Sequence, residues 1–220
     1  MENYLSVIES SELFSRIAEN DITSIEGCLS PAVSDYKKNQ YVLHVGDSLT
    51  SIGLVLSGCV HVVQEDFWGN RNIMAKVTPG DIFGESYACV RDSALAVSVV
   101  TTESTKILFL DAYRVMHRCA SSCEFHARLI RNLLAVVAKK NLMLNAKLMH
   151  VTQRTTRQKL LSYLSAEAAK SHRPLFEIPF NRQQLADYLS VDRSAMSNEL
   201  CKLRDEGILR FERNKFKLIS

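Results

Sequence analysis

Several features of other protein classes are missing from this sequence. It has no run of about 18 apolar residues, the length that a membrane-spanning helix needs, which argues against an integral membrane protein. Met1 to Tyr4 lack the basic and apolar leader of a secretory signal, so we expect a soluble, cytoplasmic protein. The six cysteines are scattered without the tight spacing of a disulfide framework, which fits a reducing compartment.

Common enzyme motifs are absent too. There is no glycine-rich phosphate loop, no Gly-x-Ser-x-Gly turn and no His-Glu-x-x-His helix, so we predict neither catalytic residues nor a metal site. Internal repeats and low-complexity tracts are also missing. With 220 residues, 46% of them hydrophobic, the chain can bury a core as one large or two small domains.

Positive charge is concentrated in the last third of the chain. Residues 151–220 carry 13 basic and 8 acidic side chains, whereas residues 1–150 carry 14 and 16. The net charge of the whole chain is only +3. A basic C-terminal segment on a mildly acidic body indicates a local surface for nucleic acid.

The segment Phe180–Leu200 has the pattern of two short helices joined by a tight turn. Apolar residues fall on one face of each predicted helix: Leu185, Ala186 and Leu189, then Ala195, Met196, Leu200 and Leu203. Asp192 is placed to cap the second helix by accepting from its free N–H groups. This arrangement predicts a helix-turn-helix, although a helical hairpin with a solvated face shows the same apolar pattern.

The second helix presents donor-rich side chains that suit base edges and phosphates in a major groove. The predicted DNA contacts are Arg193, Ser194, Ser197, Asn198 and Lys202, together with Arg182 and Gln183 at the start of the first helix. Gly207 is expected to end the second helix. Residues 208–219 then alternate around a predicted turn at Arg213-Asn214, which predicts a β-hairpin, or wing, with Arg210, Lys215 and Lys217 available to phosphates.

Residues 34–110 show the period of β-strands. Short apolar runs predict strands at Gly53–Leu56, Val60–Val63, Ile73–Val77, Ala96–Val100 and Lys106–Leu110. Turn signals separate them, among them Gly46-Asp47, Trp68-Gly69-Asn70 and Pro79-Gly80-Asp81. Many short strands in this stretch predict a β-barrel or sandwich, preceded by helical stretches in residues 2–29.

A long helix is predicted from about Ser122 to Val151. It carries a heptad seam with one polar member: Ile130, Leu134, Val137, Asn141, Leu144, Leu148 and Val151. A second stripe consists of Leu129, Leu133, Val136 and Met143. One stripe can therefore face the barrel and the other a partner subunit, and we expect a parallel homodimer. Thr152 is placed to cap the next helix, predicted over Thr155–Ala169.

A barrel, a seam helix and a winged helix-turn-helix in this order resemble the Crp/Fnr family of bacterial transcription regulators. The most specific matches are Gly46-Asp47, Leu56 to Gly58, Pro79 to Glu85, Arg193 to Leu200, Leu203 and Gly207-Ile208. The resemblance implies an α+β chain with a double-stranded β-helix or jelly-roll sensor barrel (residues 1–121), a dimerisation helix (122–151) and a winged helix-turn-helix domain (152–220). It also implies a homodimer on a near-palindromic DNA operator, with RNA polymerase as a further partner.

This sequence departs from the family pattern at the predicted DNA contacts. Arg193 matches the leading recognition arginine of the family, which is expected to contact a guanine. However, Ser194 and Asn198 stand where the cyclic-AMP-responsive members have a glutamate and a later arginine. We therefore do not expect their operator preference to carry over.

A second departure lies in the sensor barrel. Phe83-Gly84-Glu85 matches the family, but Leu95-Ala96-Val97 occupies the place of the Arg-Ser/Thr-Ala clamp on the cyclic phosphate. Without that arginine a phosphate loses a charge-assisted, bidentate contact, so we expect an effector other than cyclic AMP, or none. The predicted effector pocket comprises Phe83, Gly84, Glu85, Ser86, Leu95, Ala96, Asn141, Met143 and Leu144.

Four alternatives remain open at this point. Cys119 and Cys123 are four residues apart and would share a helical face, which suits a redox switch or half a metal site as well as two idle thiols. A haem role for His61 or Cys89 has less support, as has an iron–sulfur cluster with Cys28 as its only N-terminal ligand. A regulatory subunit for another protein would leave the basic helix-turn-helix unexplained.

Overall fold

The computed structural model describes residues 4–23, 28–65, 71–90, 92–117, 124–173 and 175–219. The chain divides into two compact units, residues 1–138 and 139–220, and the division falls within the long helix. The turn predicted at Trp68-Gly69-Asn70 lies outside the described residues. Over the residues that are described, no helix combines the length and the apolarity needed to cross a membrane.

The first unit is built mainly from short antiparallel strands. Its helical elements are α1 (Leu5–Ser10), a 3-10 helix (Glu12–Phe14), α2 (Glu19–Thr23), α3 (Glu85–Ala88), α4 (Ala112–Met116) and the start of α5 (Glu124–Val151). Its strands are β1 (Ala32–Tyr36), β2 (Tyr41–Leu43), β3 (Ser51–Ser57), β4 (Val60–Glu65), β5 (Arg71–Val77), β6 (Ile82–Phe83), β7 (Ser98–Thr101) and β8 (Thr105–Asp111). All the predicted strands are present, although β7 begins at Ser98 rather than at Ala96.

The strands pair into two antiparallel sheets, in the orders β1-β8-β3-β6 and β2-β7-β4-β5. This arrangement is the predicted jelly-roll barrel. Strand β3 is buried on both faces, because Ile52 and Leu54 enter the core shared with the N-terminal helices, while Val55 enters a second core. Side chains alternate along a strand, so a strand that serves two cores has a continuous apolar sequence.

The long helix α5 packs one of its two predicted stripes against the first unit. Three residues of that stripe are buried there: Leu129, Leu133 and Val136. Met143, which the sequence assigned to the same stripe, is exposed. The seam stripe is uncovered at Leu134, Leu144 and Leu148.

The second unit is a winged helix-turn-helix. After the end of α5 it contains α6 (Thr156–Ser171), β9 (Leu175–Glu177), α7 (Arg182–Leu189), α8 (Arg193–Asp205), β10 (Leu209–Glu212) and β11 (Lys215–Leu218). The strands form an antiparallel sheet in the order β10-β11-β9. Strand β9 is missing from the sequence-based prediction because three residues are too few to show a period of two.

The start of α6 corrects one prediction. Thr155, not Thr152, caps this helix, because its side chain accepts a hydrogen bond from the backbone N–H of Gln158 at 3.2 Å. The hydroxyl of Thr152 instead donates to the carbonyl of Leu148 at 2.7 Å, within the last turn of α5. Both threonines are suitable caps by residue type, and the point at which the chain leaves α5 decides between them.

Candidate nucleic-acid interface

Helix α7 is stabilised at both ends. Asn181 and Gln184 form a capping box, in which each side chain accepts from the other residue's backbone N–H at 2.9 Å. The helix ends at Ser190, whose φ of 52° lies in the left-handed region. Lys159 of α6 donates to the carbonyls of Leu189 at 3.2 Å and Ser190 at 3.3 Å, which satisfies acceptors that a helix end leaves free.

Helix α8 is capped as predicted. The carboxylate of Asp192 accepts from the backbone N–H of Ala195 at 2.8 Å. At the other end Gly207 has a φ of 76°, and the N–H of Ile208 donates to the carbonyl of Leu203 at 3.0 Å. Ala195 is exposed, although the sequence placed it on the apolar face. The buried face consists of Met196, Leu200 and Leu203.

The opposite side of α8 presents the predicted DNA contacts. Arg193, Ser194, Asn198 and Lys202 are exposed, and Ser197 is half-buried with its hydroxyl donating to the carbonyl of Arg193 at 2.9 Å. Within the described part of the chain, the side chains of Arg193 and Asn198 form no hydrogen bond or ion pair. These donors are therefore available to an external ligand.

The two predicted contacts on α7 differ from each other. Gln183 is exposed, and its side-chain amide donates to the carboxylate of Asp187 at 2.8 Å. The guanidinium of Arg182 lies over the rings of Phe211 and Phe216, 4.8 and 5.1 Å from their centroids, and burial lowers its pKa. Arg182 therefore joins α7 to the wing through cation–π contacts, a packing role that its position in the sequence does not indicate.

The wing has the predicted turn. Strand β10 ends at Glu212 and β11 begins at Lys215, so Arg213 and Asn214 form the turn, with Arg213 at a φ of 53°. The amide of Asn214 donates to the carboxylate of Glu177 at 2.8 Å, which ties the turn to β9. The basic wing residues are exposed: Arg210, Lys215 and Lys217.

The predicted effector residues of the barrel lie around the start of α3. Phe83 is buried and meets Phe109 edge-on at 6.3 Å between ring centroids. Gly84 has a φ of 77°, and a Cβ there would come 2.5 Å from the side chain of Leu49, so the position requires glycine. Glu85 begins α3 and is only 4% exposed, whereas Ser86 is exposed.

The remaining predicted effector residues are spread over both units. Leu95 is buried, Val97 is half-buried and Ala96 is exposed, and none of the three offers a charge or a hydroxyl. Arg91 lies outside the described residues. The members in the second unit are exposed: Asn141, Met143 and Leu144. A surface cavity of about 170 Å³ in the first unit contains none of the predicted pocket residues.

The cysteine-based alternatives gain no support. Burial, followed by the nearby charge of Glu85, raises the pKa of the Cys89 thiol, which disfavours the thiolate that binds metals. Cys119 and Cys123 lie outside the described residues. Among the side chains that the structure describes, no three of His, Cys, Asp or Glu are grouped to hold a metal ion.

Comparison with known proteins gives matches to both units. The model of the cyclic nucleotide-binding domain matches residues 33–122, and that of the Crp-like helix-turn-helix domain matches residues 158–220. The cyclic AMP receptor protein of Thermus thermophilus is 24% identical over 177 residues, which covers 80% of this chain and 78% of that protein. The transcriptional activator FnrL of Cereibacter sphaeroides is 21% identical over 194 residues, which covers 84% and 75%.

A solved structure shows the same fold. A variant of CooA from Carboxydothermus hydrogenoformans superposes with a TM-score of 0.59 at 20% sequence identity. The superposition covers 94% of this chain and 89% of that chain. The barrel, the long helix and the helix-turn-helix therefore occur together in a known architecture.

Proposed function

We propose that this chain acts as a homodimer that binds a near-palindromic DNA operator in response to a small molecule. The chain belongs to the Crp/Fnr family of DNA-binding transcription regulators. Regulators of this family are transcription factors and not enzymes. The observation that carries the proposal is the exposed, donor-rich side of α8, a helix capped by Asp192 and buried on its other face.

Operator recognition is assigned to α8 and the wing. An arginine can bind O6 and N7 of guanine with both guanidinium donors, and an asparagine can do the same on adenine, so Arg193 and Asn198 are suited to base edges. Lys202, Lys215 and Lys217 supply positive charge for phosphates, which position a protein without reading sequence. Because its caps and core hold the backbone of α8 in place, DNA binding costs little further backbone entropy. Ordering each long, exposed side chain still costs about 0.5–1.5 kcal/mol.

The homodimer is inferred from the uncovered seam of α5. Leu134, Leu144 and Leu148 are 68%, 61% and 55% exposed in the single chain. Burial of one leucine side chain contributes about 1.5–3 kcal/mol, so two such seams packed together provide a substantial driving force. Asn141, the polar member, now accepts from the amide of Asn145 at 2.7 Å and can pair across a two-fold axis to set a parallel register.

The effector is proposed to be a small apolar or weakly polar molecule rather than cyclic AMP or cyclic GMP. A cyclic phosphate out of water needs a cation, because an unpaired charge there costs several kcal/mol. Leu95, Ala96 and Val97 provide none, and the carboxylate of Glu85 repels a phosphate although it can accept from a hydroxyl. Effector binding would shift the population between two arrangements of the dimer.

Duplex selection tests the proposal. Full-length protein is incubated with a pool of random DNA duplexes, with and without cell extract, and the retained duplexes are sequenced. We expect a near-palindrome whose half-site centres are about one helical turn, roughly 34–36 Å, apart. A protein that retains no sequence class under either condition contradicts the proposal. The same operator, placed in a transcription assay, then tests RNA polymerase as the expected partner.

A further inference from the structure

We propose that Arg157, outside the predicted DNA contacts, is a positioning residue for DNA recognition. It neutralises Glu199 and holds the C-terminal end of α8, which weakens the attraction of Glu199 for Lys202, a predicted phosphate contact. This inference rests on the proposed function and adds a residue to its machinery. Arg157 is the second residue of α6, immediately after the connection that follows α5. It thus links the start of α6 to the recognition helix.

Arg157 is held by two carboxylates of α8. Its Nη1 donates to Glu206 at 3.0 Å and to Glu199 at 3.3 Å, and its Nη2 donates to the second oxygen of Glu206 at 2.5 Å. A bidentate pair of this kind fixes orientation as well as distance. The hydrogen bond from Arg157 lowers the pKa of Glu206, so this carboxyl is ionised at neutral pH. The contacts join α6 to the last two turns of α8.

Both partners occupy unfavourable ends of their own helices. A cation is disfavoured in the first turn of a helix, where Arg157 lies, because the free N–H groups make that end positive. An anion is disfavoured at the C-terminal end, where Glu206 is the cap residue of α8. Contact between the helices offsets both effects. The charges are therefore explained by the pair, and not by the helices to which they belong.

Glu199 connects this pair to the predicted DNA surface. It is the only acid of α8 before Asp205, and its second oxygen is 3.6 Å from the Nζ of Lys202. The Lys202 side chain is 68% exposed, whereas that of Glu199 is 17% exposed. If Arg157 is removed, the Glu199 charge is left to attract Lys202 and to repel phosphates, both of which weaken DNA binding.

A double-mutant cycle tests this coupling in the full-length protein. Operator affinity is measured by fluorescence anisotropy for the wild type, Arg157→Ala, Glu199→Gln and the double variant, with Arg173→Ala as the control for loss of one exposed positive charge. We expect Arg157→Ala to weaken binding about tenfold, as one uncompensated charge near the phosphates does at low salt. In the Glu199→Gln background the loss should be clearly smaller, because only Glu206 is then left without its partner.

Other outcomes separate the possibilities. Equal losses for Arg157→Ala in both backgrounds would show that the effect does not pass through Glu199. A loss in the wild-type background no larger than that of Arg173→Ala would leave Arg157 no role in DNA binding. Either result overturns the inference. A wild type that binds no duplex refutes the proposed function instead. If circular dichroism shows that Arg157→Ala is unfolded, Arg157→Lys replaces it, with a smaller loss that Glu199→Gln should again remove.

Discussion

Protonation of His150 should destabilise the second unit. His150 is the penultimate residue of α5 and is 5% exposed. Its Nδ1 is hydrogen-bonded to the hydroxyl of Ser162 at 2.8 Å. Its ring meets Tyr163 edge-on, 5.6 Å between centroids. Burial, and then the charge of Lys170, lowers the pKa of His150, while Glu167 opposes this shift. The neutral imidazole is therefore the form that the folded protein favours.

The sign of the pH dependence follows from this lowered pKa. In the unfolded chain the imidazole titrates near its ordinary pKa of about 6.5, so below that pH the unfolded state binds more protons than the folded state. The free energy of unfolding should be constant above this pH and should fall as the pH decreases towards the folded-state pKa. The slope for one proton is at most about 1.4 kcal/mol per pH unit.

The variant His150→Leu gives the expected size of the effect. At pH 8 it removes one hydrogen bond, of about 1 kcal/mol, and one aromatic edge contact of similar size, so the second unit should lose about 2 kcal/mol. At pH 5 the difference from the wild type should shrink, because only the wild type bears the cost of a buried, protonated imidazole. His172→Leu, which removes an exposed histidine at the cap of α6, is the control.

The free energy of unfolding of the second unit can be measured by urea titration at several pH values between 5 and 8. The NMR intensities of its core amides, such as those of Leu203 and Phe216, report the unfolding. Two-dimensional NMR reports on this unit separately from the barrel, which circular dichroism does not. Parallel pH profiles for the wild type and His150→Leu would refute the reasoning. A wild type that becomes more stable on acidification would refute it as well, because that requires a raised pKa.

Three further predictions concern DNA, the dimer and the effector. Arg193→Ala should weaken operator binding by roughly 1–3 kcal/mol and relax base choice at one position per half-site. Lys202→Ala should weaken binding to all sequences alike and reduce its salt dependence. Anisotropy titrations at several salt concentrations distinguish the two variants, and unchanged base choice in Arg193→Ala would count against the assignment. Asn141→Leu should keep or strengthen the dimer while admitting other oligomers, measured by sedimentation velocity; an unchanged oligomer with a lost effector response would place Asn141 in the ligand site. Calorimetric titration with cyclic AMP and cyclic GMP should show no micromolar binding. If binding is found, its loss in Arg91→Ala would identify Arg91 as the cation that neutralises the cyclic phosphate.

The helix-turn-helix was predictable from sequence because its determinants are local. Asp192 caps α8 through a residue three positions away, and Gly207 ends it through its own backbone conformation. The period of apolar residues assigns Leu185 and Leu200 to buried faces without knowledge of any other element. The same holds for the wing turn at Arg213, where a break in a strand period is visible in a few residues.

Contacts between distant segments were not predictable in this way. Arg182 looks like a DNA contact in sequence, yet its guanidinium stacks on rings some thirty positions away. Arg157 has no motif at all, and its role depends on Glu199 and Glu206 reaching it from another helix. The short strand β9 exists because β11 supplies its hydrogen bonds.

Sequence alone therefore determined the order of the main elements, most of the buried faces of α7 and α8, and the donor-rich side of α8 that remains exposed, since each follows from periodicity and capping within one segment. Tertiary structure alone decided which charged side chains are engaged in packing and which stay available. That division depends on distances between segments, because the pairing of a charge is set by whatever lies within a few ångströms of it and not by its neighbours in the chain.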